Sequence, residues 1–291
     1  MRVALVLGVV CLLVGAGAVA PGRAQVDVSV FSGLGTWIDV YDGGLLREPE
    51  ALADRIAARG VRTVYVETAN YDSAVDVVNA EPIGRLVDRL QALGVRAVGW
   101  YLPGFLRPSR DLRRALAMLA YRTPAGARLD AVALDIEALA NKDVALRNRR
   151  LLALLDAVRA AADGTPVAAI TYPPRTLGGH QGGWPGFPWA AVAARVDAWI
   201  PMAYSGGTFR GYDATYGYVA RSLRFLRRAI GPDLPVHAAG GVANRMSTAE
   251  LKAFADAVAE KGFVTGWSLY DLATTAAGGW KALEALAAPP P

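Results

Sequence analysis

Short apolar runs alternate with longer amphipathic stretches along this chain, and the alternation repeats eight times with no break in composition. Runs of valine, isoleucine, leucine and aromatic residues predict strands over Thr36–Tyr41, Arg62–Glu67, Arg96–Tyr101, Ala131–Glu137, Pro166–Tyr172, Ala198–Tyr204, Pro235–Gly240 and Phe263–Tyr270. Between them, apolar residues at helical spacing predict helices over Pro49–Arg59, Ile83–Leu93, Asp111–Tyr121, Lys142–Ala162, Tyr216–Ile230, Thr248–Lys261 and Gly279–Ala287. Ser109 and Ser247 stand where N-caps belong, and Glu250 completes a capping box for Ser247. Strand and helix in strict alternation favour a parallel sheet, and eight repeats suggest closure into a (β/α)8 barrel, the TIM-barrel architecture. The barrel is expected over residues 34–288, after a lead-in at 25–33 and before a proline tail at 289–291.

The first residues read differently. Arg2, an apolar run from Val3 to Ala20 and the small residues around Ala24 fit a cleaved secretory signal peptide over residues 1–24. No later segment is long and apolar enough to span a bilayer, so a secreted or extracytoplasmic protein is expected. Cys11 is the one cysteine and lies in that leader, which leaves the mature chain without a disulfide or a cysteine-bound metal. Loss of Arg2 and Arg23 lowers the basic count from 31 to 29 against 26 acids, a formal +3, too small an excess to argue for a nucleic-acid partner.

The chemistry concentrates where the predicted strands end. In DAVALDIE, Asp130–Glu137, side chains repeat with period two, so Asp135 and Glu137 share a face with Ala131 and Ala133 while Val132, Leu134 and Ile136 pack on the other. Two neighbouring, partly buried acids repel, which raises one pKa and leaves the other group ionised, as acid/base work at neutral pH requires. The bland alternative is an ion pair with a barrel arginine such as Arg62 or Arg96. Other strand ends supply Trp37, Asp39 and Tyr41, then Tyr65 and Glu67, Tyr101, Met202 and Tyr204, and Trp267 or Tyr270. The glycine- and proline-rich stretch Pro173–Pro188 is expected to hang Trp184 and His180 over the same mouth, whereas Trp100 and Trp199 are expected to face helices. Aromatic faces grouped at one barrel end describe a groove for a sugar chain. With only His180 and His237 and no ligand cluster, neither metal nor cofactor is expected, and no Gly-x-Ser-x-Gly elbow supports serine chemistry.

DAVALDIE resembles the active-site strand of family 18 glycoside hydrolases, the chitinase group, written D-G-x-D-x-D-x-E: Asp130, Asp135 and Glu137 match, while Ala131 and Ala133 replace the glycine and the middle aspartate. PMAYS, Pro201–Ser205, is similar to the Met-x-Tyr-Asp motif with Ser205 in place of the aspartate, and GWSLYD resembles the tryptophan-bearing eighth strand. The S-x-G-G of strand three has no counterpart in VGWYLPG. The resemblance implies hydrolysis of β-linked N-acetylhexosamine polysaccharide, chitin or peptidoglycan-like, with Glu137 as general acid, Asp135 orienting the attacking acetamide and Tyr204 bonding it. A second likeness, to family 25 lysozymes, rests on Asp39 in WIDVYD and the LDIE pair, and implies cleavage of similar sugars. Two other readings are a non-catalytic, lectin-like carbohydrate-binding barrel and a metabolic barrel that binds phosphate at the glycine-rich turn of PVHAAGGVANRMSTAELKAF.

Overall fold

The computed structural model describes residues 26–178 and 183–286; the predicted leader, His180 and the proline tail lie outside the described residues. Eight strands, β1 (Gly33–Ile38), β2 (Thr63–Asn70), β3 (Arg96–Leu102), β4 (Ala131–Asp135), β5 (Val167–Thr171), β6 (Ala198–Pro201), β7 (Val236–Gly241) and β8 (Val264–Tyr270), close into a barrel in sequence order. Every neighbouring pair is parallel, and β8 returns to β1 through Gly33 opposite Gly266 and Gly35 opposite Ser268. Nine helices lie among the described residues: α1 (Pro49–Ala57), α2 (Ala80–Ala92), α3 (Pro108–Ala120), α4 (Val144–Ala161), α5 (Pro174–Leu177), α6 (Trp189–Ala193), α7 (Tyr212–Ile230), α8 (Thr248–Ala259) and α9 (Ala277–Glu284). None is long and apolar enough to cross a membrane.

Both faces of most strands are buried, as in a fully parallel sheet covered by helices. Outward residues such as Val64, Val66, Val132 and Leu134 join a layer with Leu86, Leu90, Leu151 and Leu155 of the helices. Inward residues form a second core in which Trp37, Tyr65 and Trp100 fill the space left by Ala131, Ala133, Ala168 and Ala198. The bottom of the barrel is closed by the lead-in, a single 3-10 turn over Val28–Phe31. Phe31 is fully buried, its carbonyl accepts from His237 Nδ1 at 2.9 Å, and Thr63 donates to the Val30 carbonyl at 2.6 Å. Burial lowers the His237 pKa to about 4, so this imidazole is a neutral packing element at physiological pH.

Local signals explain most element ends. Ser247 caps α8 as expected: its hydroxyl accepts from the Glu250 N–H while the Glu250 carboxylate accepts from the Ser247 N–H at 2.7 Å. Ser247→Ala is expected to cost about 1 kcal/mol in chemical denaturation, with no change in the shape of the barrel by circular dichroism. Ser109 does not cap α3. Pro108 takes the first helical position, with Arg107 before it, because proline's fixed φ and missing N–H suit that place. The Glu250 carboxylate also accepts from the Gly211 N–H at 2.8 Å, so an anionic side chain already occupies the start of α8.

Candidate active site

A cavity of about 390 Å³ opens at the C-terminal ends of the strands, the end at which barrels of this type carry ligands. Strand parity decides what reaches it. On β4, Ala131 and Ala133 point inward and Asp135 follows at the strand's end, with Glu137 two residues further along the same face. Both acids line the cavity. The same parity brings Glu67 above Tyr65 on β2, Met202 and Tyr204 above Ile200 on β6, and Tyr270 above Ser268 on β8.

The two acids are not an ion pair in disguise. Arg96 pairs with Asp130 at 3.1 Å, and Asp130 also accepts from the Ala97 N–H at 2.8 Å, all at the opposite end of β4. Among the described residues neither Asp135 nor Glu137 has an arginine or lysine within salt-bridge distance. Asp135 is 6% exposed, and its Oδ1 has no hydrogen-bond partner because the residue below it on the inward face is the methyl of Ala133. Burial, and then the nearby Glu137 and Glu67 charges, hold the Asp135 carboxyl well above the usual carboxylate range. Burial also raises Glu137, and a hydrogen bond from the Tyr172 hydroxyl partly offsets the rise. Glu67, 3% exposed, is pushed up to about 7 by burial, although its Oε2 accepts from the Val40 N–H at 3.0 Å. Three carboxyl groups thus crowd one cavity with no arginine or lysine paired to Asp135 or Glu137 among the described residues, and each is held above its ordinary pKa.

The remaining predicted residues fall into four places. Tyr41 stands on the cavity rim, 83% exposed, because β1 ends at Ile38 and leaves residues 39–44 as loop. Asp39 sits behind the lining, where it accepts from the Tyr270 hydroxyl at 2.7 Å and thereby fixes that ring in the wall. Trp37 and Tyr65 do not line the cavity but lie in the packed layer inside the barrel: they are buried and stacked at 4.3 Å, and Trp37 Nε1 donates to Ser268 at 2.8 Å. Tyr101, Trp184 and Trp267 are away from the cavity and are corrected as lining residues. Tyr101 faces α3 and donates to Asp111 at 2.6 Å. Trp184 is fully buried, bonded to Asn148 at 2.7 Å with the Arg147 guanidinium over its ring. Trp267 points outward and donates to the Leu283 carbonyl at 3.0 Å.

Two lining residues run against or escape the strand-end reading. Trp100, expected among the helices, lies inside the barrel and lines the cavity, so β3 carries its aromatics in the opposite phase. Tyr172 follows Ala168 and Ile170 on the inward face of β5, and that period-two relation was the signal that identifies it. Asn70, Tyr71 and Asp72, in the turn at the end of β2, complete one wall. Behind the rim, carboxylate oxygens of Asp39, Asp42 and Asp271 lie within 4.8 Å of one another. Burial raises Asp42 to about 6, and its oxygen is engaged by the Asp39 N–H at 3.2 Å.

No family model matches the sequence, and no curated protein matches it. Solved structures do share its fold. A chitinase from Chromobacterium violaceum ATCC 12472 superposes with a TM-score of 0.63 at 14% identity, covering 89% of this chain and 100% of that one. An endo-1,4-β-mannanase from Rhizomucor miehei gives 0.65 at 11% identity over 88% and 95%. The spore cortex-lytic enzyme SleL from Bacillus cereus gives 0.61 at 10% identity over 87% and 74%. At such identities the likeness establishes the (β/α)8 barrel, and the chemistry has to be argued from the cavity.

Proposed function

We propose that this chain is an exported glycoside hydrolase that cleaves β-linked N-acetylhexosamine glycans, with Glu137 as the general acid. The observation that carries the reading is the acid pair on one strand face, Asp135 and Glu137, lodged in an open cavity with no arginine or lysine paired to it among the described residues. Barrels named for chitin, mannan and spore-cortex degradation among the similar structures agree with it. In the reaction, protonated Glu137 gives its proton to the glycosidic oxygen as the bond from that oxygen to the anomeric carbon breaks. The substrate's acetamide oxygen attacks the anomeric carbon and forms a cyclic oxazolinium ion, whose N–H donates to the Asp135 carboxyl oxygen, while Glu137 stays ionised. Water, deprotonated by Glu137, then opens the ring and restores the acid.

Tyr172 tunes this cycle. Its hydrogen bond favours the ionised form of Glu137, so Tyr172→Phe is expected to raise the Glu137 pKa. Activity that needs the protonated acid is present below that pKa and lost above it, and the alkaline limb of the pH–rate profile should therefore move to higher pH in the variant. A limb that stays put would remove Tyr172 from the account.

The reading as a whole is tested by turnover of chromogenic N-acetylglucosamine oligomers beside matched glucose oligomers. Release from the acetamido series alone supports it, and equal release from both dismisses the acetamide's role. Ala133 beneath Asp135 favours one competing reading, a barrel that holds the glycan without cutting it. Tight binding of the oligomer with no release, unchanged in Glu137→Gln, would establish that reading instead.

A further inference from the structure

A second cavity, of about 230 Å³, adjoins the first, and the two share Tyr71 and Asp72 as a common wall. Its other side carries Leu106, Arg107 and Arg110 from the start of α3 and the turn before it. Both walls are pinned from below. The buried Arg114 donates to the Asn70 carbonyl at 2.6 Å and to the Ser73 carbonyl, which holds the turn bearing Tyr71 and Asp72. The buried Asp111 accepts from the Gly104 N–H at 3.2 Å, the Phe105 N–H at 2.9 Å and the Tyr101 hydroxyl, which holds the opposite turn. Phe105 keeps a left-handed backbone, φ +58°, under these bonds, and Gly104 is required where it stands because a Cβ there would meet Tyr71 Cβ at 2.7 Å.

Charge distinguishes this cavity. Of the arginines near the start of α3, Arg113 pairs with Asp76 at 2.8 Å and Arg114 is bonded to the turn. Among the described residues, Arg107 and Arg110 face no carboxylate within salt-bridge distance; Arg110 reaches only the Tyr71 carbonyl, at 3.4 Å. Two guanidinium groups with free donors, beside an exposed tyrosine and an exposed leucine, make a surface for a sugar that carries an acid: the forks take the anion and the apolar faces take the ring. Asp72 in the shared wall disfavours a dianion, so a singly charged carboxylate fits better than a phosphate.

Resting on the hydrolase reading above, we infer that the groove is built for an acidic amino-sugar glycan, in which a carboxylate-bearing residue beside the cleaved linkage lies between Arg107 and Arg110. Two chemistries supply such a carboxylate, a lactyl ether on an amino sugar and a uronic acid, and the probes separate them. Full-length Glu137→Gln protein is titrated by calorimetry, at low salt, with two tetrasaccharides, alternating N-acetylglucosamine and N-acetylmuramic acid and alternating N-acetylglucosamine and glucuronic acid, each as the free acid and as its methyl ester. The free acid of at least one series should bind about tenfold more tightly than the ester, and in the background of Arg107→Ala with Arg110→Ala that ratio should fall to about one. The acid series that shows the preference identifies the source. Equal binding of acid and ester by the parent, or a ratio untouched by the arginine substitutions, overturns the inference. Because binding is read in a catalytically silenced protein, this outcome is separate from failure of the hydrolase reading, which the wild type would show as an absence of turnover on every glycan.

Discussion

Glu137→Gln is expected to lower turnover of an N-acetylglucosamine oligomer by about three orders of magnitude, on the order of 4 kcal/mol of transition-state stabilisation. The amide keeps the size of the side chain and an acceptor for the Tyr172 hydroxyl, but it has no proton to give. The packed layer of Trp37 and Tyr65 and the Ala133 methyl are untouched by the change, so the melting temperature should stay within a degree or two of the parent's at acid pH. Measured kcat and a thermal melt on the same preparation check both halves. Full activity in the variant would exclude Glu137 as the acid.

The second large effect concerns Glu67 and stability. Its pKa rises from an ordinary 4.5 to about 7, first because it is buried and then because Asp39 and Glu137 lie near. For a carboxyl raised in the folded state, the linked stability is fully present below the unfolded value and is lost as pH climbs through the folded one. The wild type should therefore weaken between about pH 4 and pH 8, by about 3 kcal/mol from this group alone. Glu67→Gln has nothing to ionise and retains an oxygen for the Val40 N–H. Its stability relative to wild type should improve by that amount across the same interval, as read by urea unfolding at a series of pH values. Parallel curves for the two proteins would mean that Glu67 titrates normally.

How far the chain discloses this site depends on the strand. On β4 the contrast between Val132, Leu134, Ile136 and the alternate alanines leaves no doubt about parity, and Asp135 and Glu137 stand where the sequence places them. On β3 the contrast fails: Trp100 and Tyr101 are both large, both strand faces are buried, and a one-residue change of phase exchanges cavity for helix. The structure resolves the choice through Gly99, whose Cβ would meet Leu129 Cδ1 at 2.5 Å, so the odd residues face the tight helical side. Trp184 misleads for another reason. A tryptophan in a glycine- and proline-rich loop reads as a binding lip, yet Phe105, Phe187 and the Arg147 guanidinium enclose it between loop and helix, contacts that no local pattern announces. Tyr172 needed only consistent parity on β5. The arginine-lined cavity needed the fold itself, since it joins the turn after β2 to the start of α3.

Leaving-group dependence isolates the role of Glu137 as proton donor. The kcat/KM of wild type and Glu137→Gln, which reports departure of the leaving group and not the later attack of water, would be measured on N-acetylhexosamine oligomers whose aglycones range from methanol to dinitrophenol. A departing dinitrophenolate needs no proton, so the variant should lose less than about tenfold there while losing about a thousandfold on the alkyl glycoside. A loss of the same size on every aglycone, or none on any, would contradict the assignment.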